Sequence, residues 1–318
     1  MNSPPPIPST EPNAPATRAM RKAKAEEASS RRVSCELDIS CYQVENGRRP
    51  PHNGPPQQRA MTIFAVANQK GGVGKTTTVV NLGAYLGAFG ARVLLVDCDP
   101  QGNTTSGLGV QPSSRGLYDV LLGDLSANVA IVPTPTRGVD LLPSTAELAG
   151  VEVELLREER PTGRLKEALW EVRNRYSYTF LDCPPSLSVL TINALVAADA
   201  VVIPVQCEYL ALEGLARLMT TLERIRAESN PRLRIFGLIM TMYDGRTILS
   251  QQVTEEVRRH YPSLTFDTVI PRNVRLSEAP SFGKSILDYD PLSRGAQAYQ
   301  ALAMEVASRA PEFVDGRK

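Results

Sequence analysis

The chain is poor in the residue types that build metal and redox centres. Its 318 residues include only two histidines, His52 and His260, too few for a histidine metal cage or a histidine-based catalytic triad. Its five cysteines form no C-x-x-C pair and show no metal-ligand spacing. Cys98, Cys183 and Cys207 sit in or beside apolar strand-like runs and read as buried thiols of a reducing cytoplasm. No apolar run approaches the roughly 18 residues needed to cross a bilayer, and the N-terminus has no signal-peptide core. A cytoplasmic, soluble protein is expected. An excess of charge is lacking too: the net value is +1, so any nucleic-acid binding must come from a local patch.

A content of 42% hydrophobic residues supports a large core, and one stretch carries most of the chemical information. Residues 68–78 read Asn-Gln-Lys-Gly-Gly-Val-Gly-Lys-Thr-Thr-Thr. The P-loop pattern G-x-x-x-x-G-K-[ST] fails at its first position, Gln69, and is otherwise intact, with a second lysine, Lys70, five residues before Lys75. Gly71, Gly72 and Gly74, with Val73 between them, allow the backbone to wrap phosphates. Lys75 can reach the terminal phosphates, Thr76 can ligate Mg²⁺, and Thr77 counts with them among the nucleotide-binding residues. Apolar, β-prone residues 62–67 lead into the loop, and residues 75–89 place apolar groups at helical spacing after it. The loop therefore lies between a strand and a helix N-terminus, where the helix dipole favours anions.

Residues 1–60 differ from the rest. They hold ten of the 25 prolines and no sustained apolar period, so a disordered tail is expected, with room for a short helix near 16–28. Met61 directly precedes the first strand, and translation starting there is the alternative. From 61 to 310 strand and helix patterns alternate, and 311–318 reads as a C-terminal tail. Strands are expected at 62–67, 91–97, 139–142, 178–182, 200–205, 235–241 and 267–270. Helices are expected near 75–89, 163–175, 187–198, 211–229, 248–260 and 293–309. Short continuous apolar runs suit parallel strands buried on both faces. The expected fold is α/β, a doubly wound, mostly parallel sheet flanked by helices, with ligands at the strand C-termini.

Three aspartates fall at such ends. Asp97 and Asp99 close the second strand in Val-Asp-Cys-Asp-Pro-Gln-Gly-Asn, and Asp182 closes Tyr-Thr-Phe-Leu-Asp. A strand-end aspartate alone is as well read as a helix cap or turn residue. Three beside a P-loop point to phosphoryl chemistry, with Asp182 suited to the metal shell and Asp99 to orienting water.

The motifs Lys70-Gly-Gly-Val-Gly-Lys75-Thr, Asp97-Cys-Asp-Pro-Gln-Gly-Asn103 and Asp182-Cys-Pro-Pro185 together resemble the deviant-Walker-A ATPases. Within them the chain is similar to the ParA/Soj partitioning branch, with further matches at 204–209, 241–246 and 271–283. The resemblance implies an ATP- and Mg²⁺-dependent ATPase, slow and partner-stimulated, that forms a homodimer around ATP. In it Lys70 reaches the partner subunit's phosphates, and Lys75 and Thr76 bind phosphate and Mg²⁺ within the subunit. Asp99 positions the hydrolytic water, and Asp182 acts through a metal-bound water. Pro271 and Asn273 line the adenine pocket. Arg246 and Arg275 belong to a surface for non-specific DNA, although from the residues alone both read more readily as solvated or salt-bridged surface arginines, and only the resemblance reverses that reading. A ParB-like centromere-binding partner, a nucleoid location and no membrane contact complete the expectation.

Rival readings are weaker. A MinD-type membrane-associated ATPase would begin its loop Gly-Lys-Gly-Gly and end in a basic amphipathic helix, whereas 293–309 is Ala-rich and barely basic. An iron-protein reductase would need paired interface cysteines. A sequence-specific DNA-binding regulator would need an apolar helix-turn-helix core that 1–60 lacks. A GTPase would need an Asn-Lys-x-Asp stretch, which does not occur.

Overall fold

Six short segments with the apolar, β-prone composition that sheets favour, and a two-residue Val-Pro strand that the sequence did not mark, pair in the computed structural model. They are β1 (Thr62–Val66), β2 (Val93–Asp97), β3 (Val132–Pro133), β4 (Val139–Leu142), β5 (Tyr178–Asp182), β6 (Ala200–Gln206) and β7 (Arg234–Thr241). The structure describes residues 62–111, 115–158 and 161–315, with side chains up to 311; the tail expected over 1–60 lies outside them. The order across the sheet is β3-β4-β2-β5-β1-β6-β7, parallel throughout except for β3 against β4.

The helices among the described residues are α1 (Lys75–Ala88), α2 (Asn103–Gly107), α3 (Leu117–Leu122), α4 (Ala127–Ala130), α5 (Val151–Leu155) and α6 (Arg164–Val172). They continue with α7 (Val189–Ala197), α8 (Ala211–Glu228), α9 (Ile248–His260), α10 (Val274–Glu278), α11 (Ile286–Tyr289) and α12 (Arg294–Asp315). The longer ones match the periodic segments within a few residues. The last helix, expected near 293–309, runs on through Pro311 to Asp315.

Alternation along the strands divides the core into two layers, as a sheet covered on both faces requires. Leu94, Val96, Leu181, Val201 and Ile203 face one layer, packed against α3, α6, α7 and α8. Phe64, Val66, Leu95, Phe180 and Val202 face the other, packed against α1 and α12. Near the start of β7 the alternation slips. Val201 pairs with Ile235 but Val202 pairs with Gly237, so Phe236 is an extra residue and turns into the α1/α12 layer.

Residues 267–270, expected as a strand, do not form one. The chain there runs beside β7 and touches it through single bridges, Leu238 to Thr265 and Tyr243 to Pro271. The ladder breaks because Glu305 of α12 takes the amides of Asp267 and Thr268 at 2.9 and 3.1 Å. The segment still covers the β7 edge, which would otherwise expose unpaired backbone groups.

Candidate nucleotide site

The sheet order decides what meets at the strand C-termini. β5 lies between β1 and β2, with Asp182 level with Val66 on one side and with Asp97 on the other. The loop after β1, the carboxylate ending β5 and the acidic turn after β2 are therefore neighbours.

Within the loop, Gly72 and Gly74 take φ values of 73° and 88°, the left-handed backbone from which phosphate-binding nests are built. Side chains from distant segments fix the loop. Thr241 Oγ1 donates to the Val73 carbonyl at 2.9 Å, Asn68 Nδ2 donates to the Pro204 carbonyl at 2.7 Å, and Gln69 Nε2 donates to Thr221 Oγ1 of α8 at 3.2 Å. Lys75 is buried, and its Nζ donates to the Lys70 carbonyl at 3.1 Å. Burial pushes its pKa below the ordinary lysine value, and the nearby Asp182 and Asp99 partly offset this.

Asp182 is wholly buried. Its Oδ2 accepts two hydroxyl protons, from Thr76 of α1 and Thr104 of α2, each at 2.7 Å, while its Oδ1 is buried with no partner. A buried carboxylate oxygen without a donor is costly. A cation's water shell beside Thr76 would satisfy it, and an all-oxygen donor set of hydroxyl, carboxylate and phosphate is what Mg²⁺ takes. The residues present fit that ion.

Asp97, grouped with the other aspartates on sequence grounds, is occupied differently. Its Oδ2 accepts from the Thr105 amide at 2.8 Å and the Thr105 hydroxyl at 2.7 Å, and its Oδ1 from the Asp99 amide at 3.3 Å. It fastens α2 to the strand. Asp99 lies beyond the strand end and accepts from the Gln101 amide at 3.0 Å.

A cavity of about 530 Å³ opens beside the loop, a size that suits a nucleotide. Its lining includes Gly74, Thr76 and Thr77 of the loop and first helical turn, Asn103, and Pro271 and Asn273. Met242, which also lines it, has φ 53°, the only non-glycine residue with positive φ among the described residues. The structure thus brings together the loop, Lys75, Thr76, Thr77, Asp99, Asp182, Pro271 and Asn273.

Three sequence-selected residues stand apart. Lys70 Nζ turns to Glu208 Oε2 at 2.5 Å, and Glu208 is held in turn by the Gln206 amide. Arg246 forks onto Asp244 at 2.7 and 2.9 Å, and Arg275 pairs with Glu278 at 2.9 Å and Asp290 at 3.4 Å. Both arginines are ion-paired at the surface, and such exposed pairs contribute only about 0–1 kcal/mol. Sequence reasoning missed Thr104, Thr105 and Glu208: Thr104 and Glu208 act on residues 78 and 138 positions away, and Thr105, eight residues from Asp97, belongs to no recognised motif. Cys98, Cys183 and Cys207 are buried, and burial raises the pKa of each thiol. No helix among the described residues is long and apolar enough to cross a membrane.

Comparison with known proteins finds relatives in both sequence and fold. A family model described as an AAA domain matches residues 61–235. The chromosome partitioning protein ParA of Caulobacter vibrioides is 54% identical over 253 residues, covering 78% of this chain and 95% of that protein. The sporulation initiation inhibitor protein Soj of Bacillus subtilis is 54% identical over 248 residues, covering 77% of this chain and 98% of its own length. Among solved structures, cobyrinic acid a,c-diamide synthase from Mycobacterium smegmatis, with bound ATP analogue and magnesium, superposes with a TM-score of 0.69 at 39% identity. It covers 81% of this chain and 98% of that one.

Proposed function

The chain belongs to the ParA/Soj family of chromosome-partitioning ATPases, and from that membership we propose an ATP-driven dimer that binds DNA without sequence preference and segregates it with a ParB-like partner. The observation that carries the ATPase chemistry is the meeting of the P-loop, Thr76 and the unpartnered oxygen of Asp182 at one point. The Gly71–Gly74 backbone and Lys75 bind the phosphates, and Thr77, Pro271 and Asn273 line the space for the rest of the nucleotide. Thr76 and, through water, Asp182 would hold Mg²⁺, which would supply positive charge against the bound phosphates. Asp99 orients the attacking water.

Lys70 serves the partner subunit. Its ammonium is turned away from its own loop onto Glu208, so a lone subunit lacks the second cation that stabilises charge on the transferred phosphoryl group. That arrangement supports a slow basal turnover that is raised when a partner protein organises the dimer. For DNA, Arg246 and Arg275 exchange intramolecular carboxylates for backbone phosphates. With a net charge of only +1, one subunit binds weakly and the dimer's doubled patch binds usefully, in the cytoplasm on the nucleoid.

Co-sedimentation with plasmid DNA in ATP, ADP and no nucleotide, alongside the solution mass in each state, tests this reading. Dimer formation and DNA retention are expected with ATP only. Equal retention in all three states would refute the nucleotide-dependent cycle.

A further inference from the structure

The acidic turn after β2 is tied to the carboxylate that ends β5 by one side chain outside the ATPase motifs. Thr104, on α2, is fully buried and places its hydroxyl 2.7 Å from Asp182 Oδ2. Thr76 donates to the same oxygen, also at 2.7 Å, so Oδ2 is saturated and Oδ1 alone remains open. The next residue, Thr105, gives its amide and its hydroxyl to Asp97, the cross-strand neighbour of Asp182. The Thr105 hydroxyl also accepts the Ser144 amide at 3.1 Å. Two consecutive threonines thus hold two adjacent strand-end carboxylates, and they anchor the turn that presents Asp99.

We propose that Thr104 is a positioning residue that fixes the Asp182 carboxylate, so that its free oxygen faces the metal's water shell while the Asp99 turn is held in register with it. The inference rests on the nucleotide-site reading above. A hydrogen bond to a charged acceptor is stronger than one between neutral groups. With only Thr76 left to hold it, Asp182 could rotate and pair its open oxygen elsewhere. A threonine that merely filled space would affect stability and leave metal binding untouched.

Thr104→Val keeps the shape and removes the hydroxyl, and Thr104→Ser restores it. The readout is a Mg²⁺ titration of protein preloaded with a fluorescent ATP analogue in metal-free buffer. The half-saturating Mg²⁺ concentration is expected to rise at least about tenfold in Thr104→Val and to stay within about twofold of the parent in Thr104→Ser. Nucleotide affinity without metal is expected to be unchanged in both. A Thr104→Val titration within twofold of the parent would overturn the proposal. If that variant does not bind nucleotide without metal, Thr104→Ala is titrated instead, and a parental midpoint there overturns the proposal equally. A parent protein with no Mg²⁺ response would instead sink the nucleotide-site reading itself.

Discussion

Two carboxylates buried side by side, Asp97 and Asp182, are an unfavourable arrangement in the protein without metal. Burial and the neighbouring Asp182 push the Asp97 carboxyl up to about 7. Burial raises Asp182 to about 6, with the Thr104 and Thr76 hydroxyls pulling the other way and Asp99 adding to the rise. Both values exceed the ordinary 3.8, so the folded chain holds more protons than the unfolded one between about pH 4 and 7. Stability must then fall as pH rises through that window. Asp244, lowered to about 2 by Arg246, acts only below it. Denaturant unfolding without metal or nucleotide should give a larger free energy at pH 6 than at pH 8. Asp97→Asn should shrink that difference, and an undiminished slope in the variant would show that the pair is not its source. Lys70, Lys75, Thr76, Asp99 and Asp182 were legible because the motif fixes their spacing along the chain. Thr104 and Glu208 were not, because the groups they hold lie 78 and 138 residues away.

At the scale of elements, the long periodic segments were readable and the short or irregular ones were not. Strand β3 has two residues and helices such as α2 and α10 have five, too few for a period to emerge. Segment 267–270 has a strand's composition, yet Glu305, remote in sequence, takes the amides of Asp267 and Thr268, while the Ile270 amide still bonds to Met240 of β7. The slip in β7 has a similar origin. A Cβ on Gly237 would lie 2.3 Å from the ring of Phe266, which is fully buried, and 3.0 Å from the Leu264 carbonyl. Glycine is required there for space rather than for backbone freedom. Gly237→Ala is expected to destabilise the fold by about 1–3 kcal/mol, the usual cost of overpacking, seen as a lower denaturant midpoint at unchanged slope. A parental midpoint would mean that Phe266 yields at no cost.

At the scale of the molecule, the DNA reading depends on the assembly more than on any single patch. Arg246 and Arg275 each sit beside a carboxylate of their own chain, so monomeric affinity should be low. If each contributes one phosphate contact per subunit, an ATP dimer makes about four, and log K should fall with log salt at a slope of about −3.6. Arg275→Glu should lower DNA affinity and flatten that slope by about 2 units, while the ATP dimer persists. An unchanged slope would remove Arg275 from the surface, and loss of the dimer would place it at the subunit interface instead.

The sequence by itself determined the chemistry of the loop, the alternation of strands and helices, and the apolar runs that both faces of the sheet bury. These are local properties: a glycine-rich turn, a period and a run of β-branched residues need no partner to be recognised. Tertiary structure alone decided that β5 lies between β1 and β2, which makes neighbours of the P-loop, Asp182 and Asp97. It also decided that Asp182 is held by Thr104 yet keeps one open oxygen, and that Lys70 rests on Glu208. Burial, strand order and hydrogen-bond partners are set by residues far apart in the chain, and only folding brings them within reach of one another.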